Sequence, residues 1–308
     1  MNIAKWIFAI VLAAFSLPAL SCPQPDCVRI GSWNIAWLGS EKRKQSSDAA
    51  TIEAMAERIA NEWSIDLISF QEINTSIDGS LRGEHYSTQQ WNRLRNALQK
   101  RGYNTVAGSS GNAQHVVLAW RKPVVVLQVA SDMQVPDSYR IDDYCYSSNL
   151  RKPLAGLFRA GQFDFWAIGL HLKSGYGGQS ACTNAVRKMQ VYYIAKQLDT
   201  MKKSDKDIVI IGDFNASGNH ESLRNLHDKG FKVLTYKNDR HEASNSRTQG
   251  SGKRGGIIDH VMIDHENTGE WKIKSTVLYN PEDAAAFNEL YSDHFPVWSD
   301  FSITYDDD

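Results

Sequence analysis

Four things are scarce or missing in this sequence of 308 residues: cysteine, of which it has four, any Cys-x-x-Cys pair, any internal repeat, and any block of like charge. Without Cys-x-x-Cys spacing and with so few thiols, a structural zinc site loses its usual framework. Without repeats, low-complexity linkers or charge blocks, nothing marks a domain boundary, so residues 22–308 read as one large domain. Lys and Arg (34) nearly balance Asp and Glu (35), for a net charge of −1. No global positive field therefore advertises a polyanionic partner, and any such contact must come from local basic loops. The remaining composition, 42% hydrophobic and 22% charged, is that of an ordinary globular chain.

The N-terminus carries Lys5, an apolar stretch over residues 6–17, Pro18, and then Ala19-Leu20-Ser21. That stretch is too short to span a bilayer comfortably, and small residues precede Cys22. Residues 1–21 therefore read as a cleaved secretory signal that leaves no membrane span, with acylation of Cys22 left open. Export to an oxidising compartment, secreted or periplasmic, makes an even cysteine count meaningful: Cys22 with Cys27 and Cys145 with Cys182 is the favoured pairing. Asp306, Asp307 and Asp308 read as a solvated tail.

The remaining pattern is organised around residues 207–217. An apolar run without alternation, Ile208 to Ile211, suits a strand buried on both faces, and it stops at Gly212-Asp213-Phe214-Asn215. In extended chain Asp213 and Asn215 would share a face. Alone, the pair reads as the cap of a strand-to-turn junction. The same grammar recurs after other apolar runs, however, at Asn34, at Gln71-Glu72, at His171, at Asp259-His260 and at Ser292-Asp293-His294. Helical periodicity over residues 47–63, 89–100 and 186–198 supplies covering helices. Strands are expected over residues 28–35, 65–70, 115–120, 124–130, 153–159, 162–171, 256–263, 271–279 and 296–303. Two strand-rich halves with helices predict two sheets packed face to face, helices outside. Scattered carboxylates, amides and imidazoles without cysteine favour a hard divalent cation over zinc.

The chain resembles the endonuclease/exonuclease/phosphatase superfamily, and within it the DNase I-like secreted nucleases. The resemblance rests on Ile30-Gly31-Ser32-Trp33-Asn34-Ile35, Asp66-Leu67-Ile68-Ser69-Phe70-Gln71-Glu72, Gly169-Leu170-His171, Ile211-Gly212-Asp213-Phe214-Asn215-Ala216, Ile258-Asp259-His260-Val261 and Ser292-Asp293-His294-Phe295-Pro296-Val297, in the family's order. It implies a four-layer αββα sandwich of two mixed sheets, and hydrolysis of a phosphate ester with Mg²⁺, Mn²⁺ as a substitute and structural Ca²⁺ left open. Residue by residue, it implies that Glu72, Asn34 and Asp293 bind the metal. Asp213 and Asn215 would orient the attacking water and phosphoryl oxygens. His294 paired with Asp259 would complete the acid/base and phosphate-gripping apparatus, and His171 would contact the phosphate or protonate the leaving oxygen. Which group is the general base stays open. Asn34 and His171 can also be read as hydrogen-bonded structural residues at strand ends.

One position departs from the family's pattern. DNase I-like enzymes place a glutamate near the start of the strand that begins here at His115, and this chain has Gln114. The expectation is that Gln114 holds His171 by a neutral hydrogen bond, without stabilising an imidazolium. Arg151-Lys152-Pro153 resembles a phosphate-contacting site of the same enzymes. With Lys42-Arg43-Lys44, Lys173 and Lys253-Arg254 it supplies local cations for a polyanionic substrate.

The resemblance thus implies a monomeric endonuclease acting on DNA, RNA left open, and producing 5′-phosphate ends. Alternatives with the same chemistry are a sphingomyelinase-like lipase and a phosphoinositide phosphatase-like enzyme. The lipase needs an apolar insertion hairpin, and Tyr139, Tyr144 and Tyr146 are interleaved with Asp142 and Asp143. A non-catalytic binding module would be expected to lose Glu72, Asp213 or His294, and all three are present.

Overall fold

The computed structural model describes residues 25–75, 88–112, 114–143, 145–175, 180–235, 248–249, 256–271 and 276–308. The expected signal segment, Cys22, Tyr144 and Lys253-Arg254 lie outside these residues, and with Cys22 lies the test of the Cys22–Cys27 pair. Fourteen strands and five α-helices are described. The first sheet is built from β1 (Cys27–Leu38), β2 (Leu67–Ile73), β3 (Asn104–Ala107), β4 (His115–Trp120), β13 (Val277–Leu278) and β14 (Val297–Ser302), in the order β13-β14-β1-β2-β4-β3. The second contains β5 (Val124–Asp132), β8 (Leu154–Ala160), β9 (Phe163–His171), β10 (Ile208–Asp213), β11 (Phe231–Val233) and β12 (Asp259–Asp264), in the order β11-β12-β10-β9-β8-β5. Both are mixed: β1 runs parallel to β2 and antiparallel to β14, and β10 runs parallel to β9 and antiparallel to β12. A small hairpin, β6 (Tyr139–Arg140) and β7 (Tyr146–Ser147), stands apart.

Side-chain alternation along the strands builds the layers. Val28 and Ile30 of β1 face the second sheet and pack with Val209 and Ile211 of β10, Phe163 and Phe165 of β9, and Val261 and Ile263 of β12. The opposite face of β1 gives Trp33 and Ile35 to a layer with Ile52 and Met55 of α1 (Ala49–Glu57), Trp91 and Leu94 of α2 (Gln89–Lys100), and Phe287 of α5 (Ala284–Leu290). On the far side, Ile208 and Ile210 pack under Val191, Ile194 and Leu198 of α3 (Ser180–Met201). A short helix, α4 (Arg224–His227), adds Leu226 to that layer. The result is the expected αββα sandwich. The central strands of each sheet are buried on both faces, and for that reason β10 carries no polar alternation, whereas the edge strand β5 leaves Val125 to Leu127 and Val129 exposed.

Several expected boundaries moved. β1 continues through Leu38, and β12 starts at Asp259 rather than at residue 256. Within 271–279 the described strand is limited to Val277–Leu278, with Trp271 bridging to Phe301. Cys145 and Cys182 form the expected disulfide, tying the hairpin region to α3. Asp307 and Asp308 are exposed, as expected of a solvated tail, but Asp306, Asp307 and Asp308 do not hang free. They accept backbone N–H bonds from Asp164, Gly269 and Lys206 respectively, and so lie against the body of the sandwich.

Candidate active site

The site lies where the apolar layer between the sheets gives out. Residues 28 and 30 point into that layer, so alternation puts Asn34 there as well; the same count places Asp213, Asp259 and His171 on the inner faces of β10, β12 and β9. All four are buried, at 0 to 2% exposure. Polar side chains thus continue the inter-sheet core at one end of the strands.

Glu72 does not follow this rule. Leu67 faces inward, and strict alternation would send Glu72 outward to the helices. Register shifts between Phe70 and Ile73, and between Asn34 and Leu38, mark bulges on both sides of it, and Glu72 itself has φ of 64°. The bulge turns its carboxylate into the cleft, at a backbone cost on the order of 1–3 kcal/mol. There Oε2 accepts the Trp37 N–H at 3.0 Å, and Oε1 accepts from the Asn34 amide at 3.2 Å.

Asn34 also donates to Asp213 Oδ2 at 3.1 Å, while its own oxygen accepts from Ala36 N at 3.0 Å. It turns its NH₂ to the carboxylates, so serving as an oxygen ligand requires the amide to be turned over. Asp213 and Asn215 do not share an extended face. The strand ends at Asp213, Asn215 has φ of 49°, and its backbone N–H returns to Asp213 Oδ1 at 2.8 Å while its side chain donates to Leu172 O at 3.1 Å. The capping geometry and the placement of the Asp213 carboxylate are one feature.

His294 enters from the loop before β14. Its Nδ1 lies 2.9 and 3.1 Å from the two oxygens of Asp259, and its Nε2 is 4.0 Å from Asp213 Oδ2. Ser292 locks this loop, its hydroxyl donating to Asn34 O at 2.6 Å and accepting from His294 N at 3.0 Å. Burial by itself would lower the imidazole's pKa, but Asp259, Asp213 and Asp293 outweigh it and push His294 up to about 10. The ring is an imidazolium at neutral pH. Asp213 is raised by burial and then by the like charge of Asp259. Glu72 is raised by burial, with Asp293 near enough to add repulsion.

His171 differs from His294. Its Nε2 is 3.5 Å from Asp213 Oδ2 and 3.8 Å from Glu72 Oε1, and its Nδ1 is buried without a hydrogen-bond partner. Burial, then the positive charges of Arg151 and His294, hold its pKa well below the ordinary value, so the ring is neutral. The expected Gln114–His171 bond is not made. Gln114 Oε1 instead accepts from Arg151 Nη1 at 2.6 Å. Arg151 also donates to His171 O at 3.1 Å and Leu172 O at 2.6 Å. Its guanidinium is spent on the end of β9, so it acts on the cleft as a fixed positive charge. Arg43 is likewise not a free loop cation: it donates to the carbonyls of Ile35, Ala36, Ser46 and Tyr291.

Two supporting residues escaped the sequence reading. Arg187 of α3, 5% exposed, donates to Lys173 O at 2.8 Å and acts electrostatically on Asp213. Thr248 accepts the N–H groups of Ile258 and Asp259 at 2.9 Å each, fixing the base of the Asp259 carboxylate. Neither lies in a distinctive sequence pattern; a Thr in a Gly-rich segment and an Arg on a helix carry no signal of their own.

Crowded, desolvated carboxylates are the chemistry of a cation site. Asp213, Asp259 and His294 present ligand atoms within 4.8 Å of one another. In that trio the His294 nitrogen facing Asp259 already holds a proton, which favours an ion pair there. Glu72 and Asp293 are further oxygen donors, near enough for the charge of Asp293 to add to the burial that raises the Glu72 carboxyl.

Comparison with known proteins bears on the family and the fold. The family described as the Endonuclease/Exonuclease/phosphatase family matches residues 31–294. A human relative, Endonuclease/exonuclease/phosphatase family domain-containing protein 1, is 26% identical over 153 residues, covering 48% of this chain and 27% of its own length. Among solved structures, a humanized D. rerio TDP2 superimposes with a TM-score of 0.64 at 13% identity, covering 90% of this chain and 99% of the other. A mannosyl-6-phosphatase from Bacteroides thetaiotaomicron gives 0.57 at 14% identity, covering 88% and 98%. At such identities the structural likeness establishes the fold alone.

Proposed function

This chain belongs to the endonuclease/exonuclease/phosphatase family, and from that premise we propose that it is an exported, Mg²⁺-dependent phosphodiesterase that cuts DNA endonucleolytically. The observation that carries the reading is the Asp259–His294 ion pair at 2.9 Å beside the Asp213 carboxylate, with Arg151, Lys173 and Arg187 along one side of the cleft. Phosphodiester hydrolysis gathers negative charge on the phosphoryl oxygens, and fixed cations facing those oxygens stabilise the transition state.

In this proposal Glu72 and Asp293, joined by Asn34 once its amide is turned over, hold the divalent ion, which when bound offsets charge on the phosphoryl and leaving oxygens. Asp213, its carboxyl raised by burial and by Asp259, takes the proton of the attacking water. Asn215 fixes the orientation of that carboxylate through its backbone N–H. His294 stays protonated and grips a non-bridging oxygen. His171, neutral, donates a hydrogen bond to the phosphate and is not a strong acid. The 3′-oxygen leaves in line and takes up a proton from water, while Asp213 releases the proton it received to solvent, so the products carry 3′-hydroxyls and 5′-phosphates. The proposal of export rests on the signal-like pattern of residues 1–21, and the Cys145–Cys182 disulfide supports it.

The test is supercoiled plasmid with Mg²⁺. Nicking that EDTA abolishes and Mg²⁺ restores is expected. If the plasmid stays supercoiled while sphingomyelin, a phosphoinositide or a sugar phosphomonoester is hydrolysed, the substrate assignment falls and the site assignment stands. Activity insensitive to EDTA would remove the metal.

A further inference from the structure

At the opposite end of β10 from Asp213, about 20 Å away along the strand, carboxylates from separate parts of the chain meet. Asp207, Glu270, Asp306 and Asp307 offer oxygens within 4.8 Å of one another, and Asp205, Asp207 and Asp308 form an overlapping group. An acidic patch on a surface would be unremarkable, because water solvates it. Here Asp207 and Glu270 are fully buried, at 0% exposure, and none of their four carboxylate oxygens has a partner in good hydrogen-bond geometry. The neighbouring donors, the Thr268 hydroxyl at Asp207 and the backbone N–H groups of Glu270 and Asp307 at Glu270, offset the burial only in part. A desolvated carboxylate without a partner is among the costliest groups a fold can hold, and two facing each other are worse.

We propose that this cluster is a Ca²⁺ site that ties residues 306–308 to the start of β10. The donor set is all oxygen and has several carboxylates converging from separate segments. That suits Ca²⁺, which takes 6–8 oxygens in a flexible shell, better than Mg²⁺, which keeps its waters and uses one or two carboxylates. It contains no sulfur or imidazole to select a softer metal. Among the described residues, the cation paired with a member of the group is Lys206, whose Nζ lies 3.8 Å from Asp308, too little charge to balance six carboxylates.

The chain around the cluster is built for close approach. A Cβ on Gly269 would meet Asp307 Oδ2 at 2.4 Å, so a side chain there would push that carboxylate aside from its present position. Tyr305 Oη donates to Gly269 O at 2.8 Å, and Ser302 N donates to Glu270 O at 2.8 Å. Residues 306–308 follow β14 of one sheet, and Asp207 precedes β10 of the other. A cation here cross-links the two sheets at the end away from the cleft. Its role is in stability and not in the reaction.

The experiment uses the full chain, stripped with EDTA and desalted, with CaCl₂ alone as probe, read by equilibrium dialysis and by thermal unfolding. The wild type is expected to bind one more equivalent of Ca²⁺ than Asp207→Asn/Glu270→Gln, and Ca²⁺ should raise its Tm by several degrees more than it raises the variant's, a difference that equal Mg²⁺ does not reproduce. The pair of amides removes the repulsion while keeping the volume. Should that variant not fold, Asp307→Asn/Asp308→Asn decides: these residues are exposed, and the change should weaken Ca²⁺ binding about tenfold without lowering the EDTA-stripped Tm. Equal Ca²⁺ stoichiometry and an equal Tm response in wild type and variants would overturn the proposal. So would a Tm that no Ca²⁺ concentration moves, which would leave the buried carboxyls protonated instead.

Discussion

Single residues decide the chemistry here through their partners more than through their identity. His171 and His294 are both buried imidazoles, yet Arg151 lies beside one and Asp259 against the other, and their proton affinities move in opposite directions. Asp259→Asn removes the negative partner of His294 with little change of shape. Activity is expected to fall about 10²-fold at neutral pH. The sign follows from the raised pKa: His294 keeps its proton until the pH approaches about 10, so without Asp259 the alkaline fall in activity should move to lower pH. A pH–rate profile with an unmoved alkaline limb would show that His294 does not act as a cation. Gln114→Glu tests a second pairing. Because Gln114 accepts from Arg151 rather than from His171, a carboxylate there should strengthen the hold on Arg151 and leave the pH profile as it was. A shifted profile would instead connect position 114 to His171. Which of these partners would be used was not legible in the sequence: a motif names the imidazole, and only the packed strands choose its neighbour.

At the scale of the element, strands were easy to find and their irregularities were not. The unbroken apolar run at residues 208–211 announces a doubly buried strand, whereas nothing in Phe70-Gln71-Glu72-Ile73 announces a bulge. Yet the bulge reverses the direction of Glu72, the residue on which the metal assignment leans most. The short strands β3 and β11 and the helix α5 were also missed, since segments of three to seven residues carry too little periodicity to register. Gly212 shows how tightly β10 is drawn to its neighbour. A Cβ there would stand 2.0 Å from Leu170 O, a backbone atom that cannot step aside, at a φ of 155°. Gly212→Ala is expected to cost at least about 3 kcal/mol and to displace Asp213, so denaturant melts and activity should fall together. Near-normal stability would mean that β9 and β10 part more readily than their register implies.

For the molecule as a whole, two sheets with outer helices could be read from the order of strands and helices alone, because four layers are what bury strands that are apolar on both faces. What could not be read is how polar groups far apart in sequence are shared between the sheets, and His260 is an example outside the chemistry. It is buried, with Nδ1 2.7 Å from Thr235 Oγ1 and Nε2 2.9 Å from Ala216 O, and its edge meets Phe214. Burial, opposed by the bond to Ala216 O, lowers its pKa to about 4. Between the ordinary value of about 6.5 and about 4 the unfolded chain therefore binds a proton that the folded chain refuses. Stability is present above that window and lost as the pH falls through it, by on the order of 3 kcal/mol. The measured slope is a sum, since buried Asp207 and Asp213 have raised values and pull the other way, favouring the folded state at lower pH. A difference removes them. His260→Leu should be less stable than wild type at pH 7, and the gap should narrow steadily between pH 6.5 and 4 and hold constant below. Chemical denaturation of both proteins across that range would show parallel curves if His260 were not the group that makes the sandwich sensitive to acid.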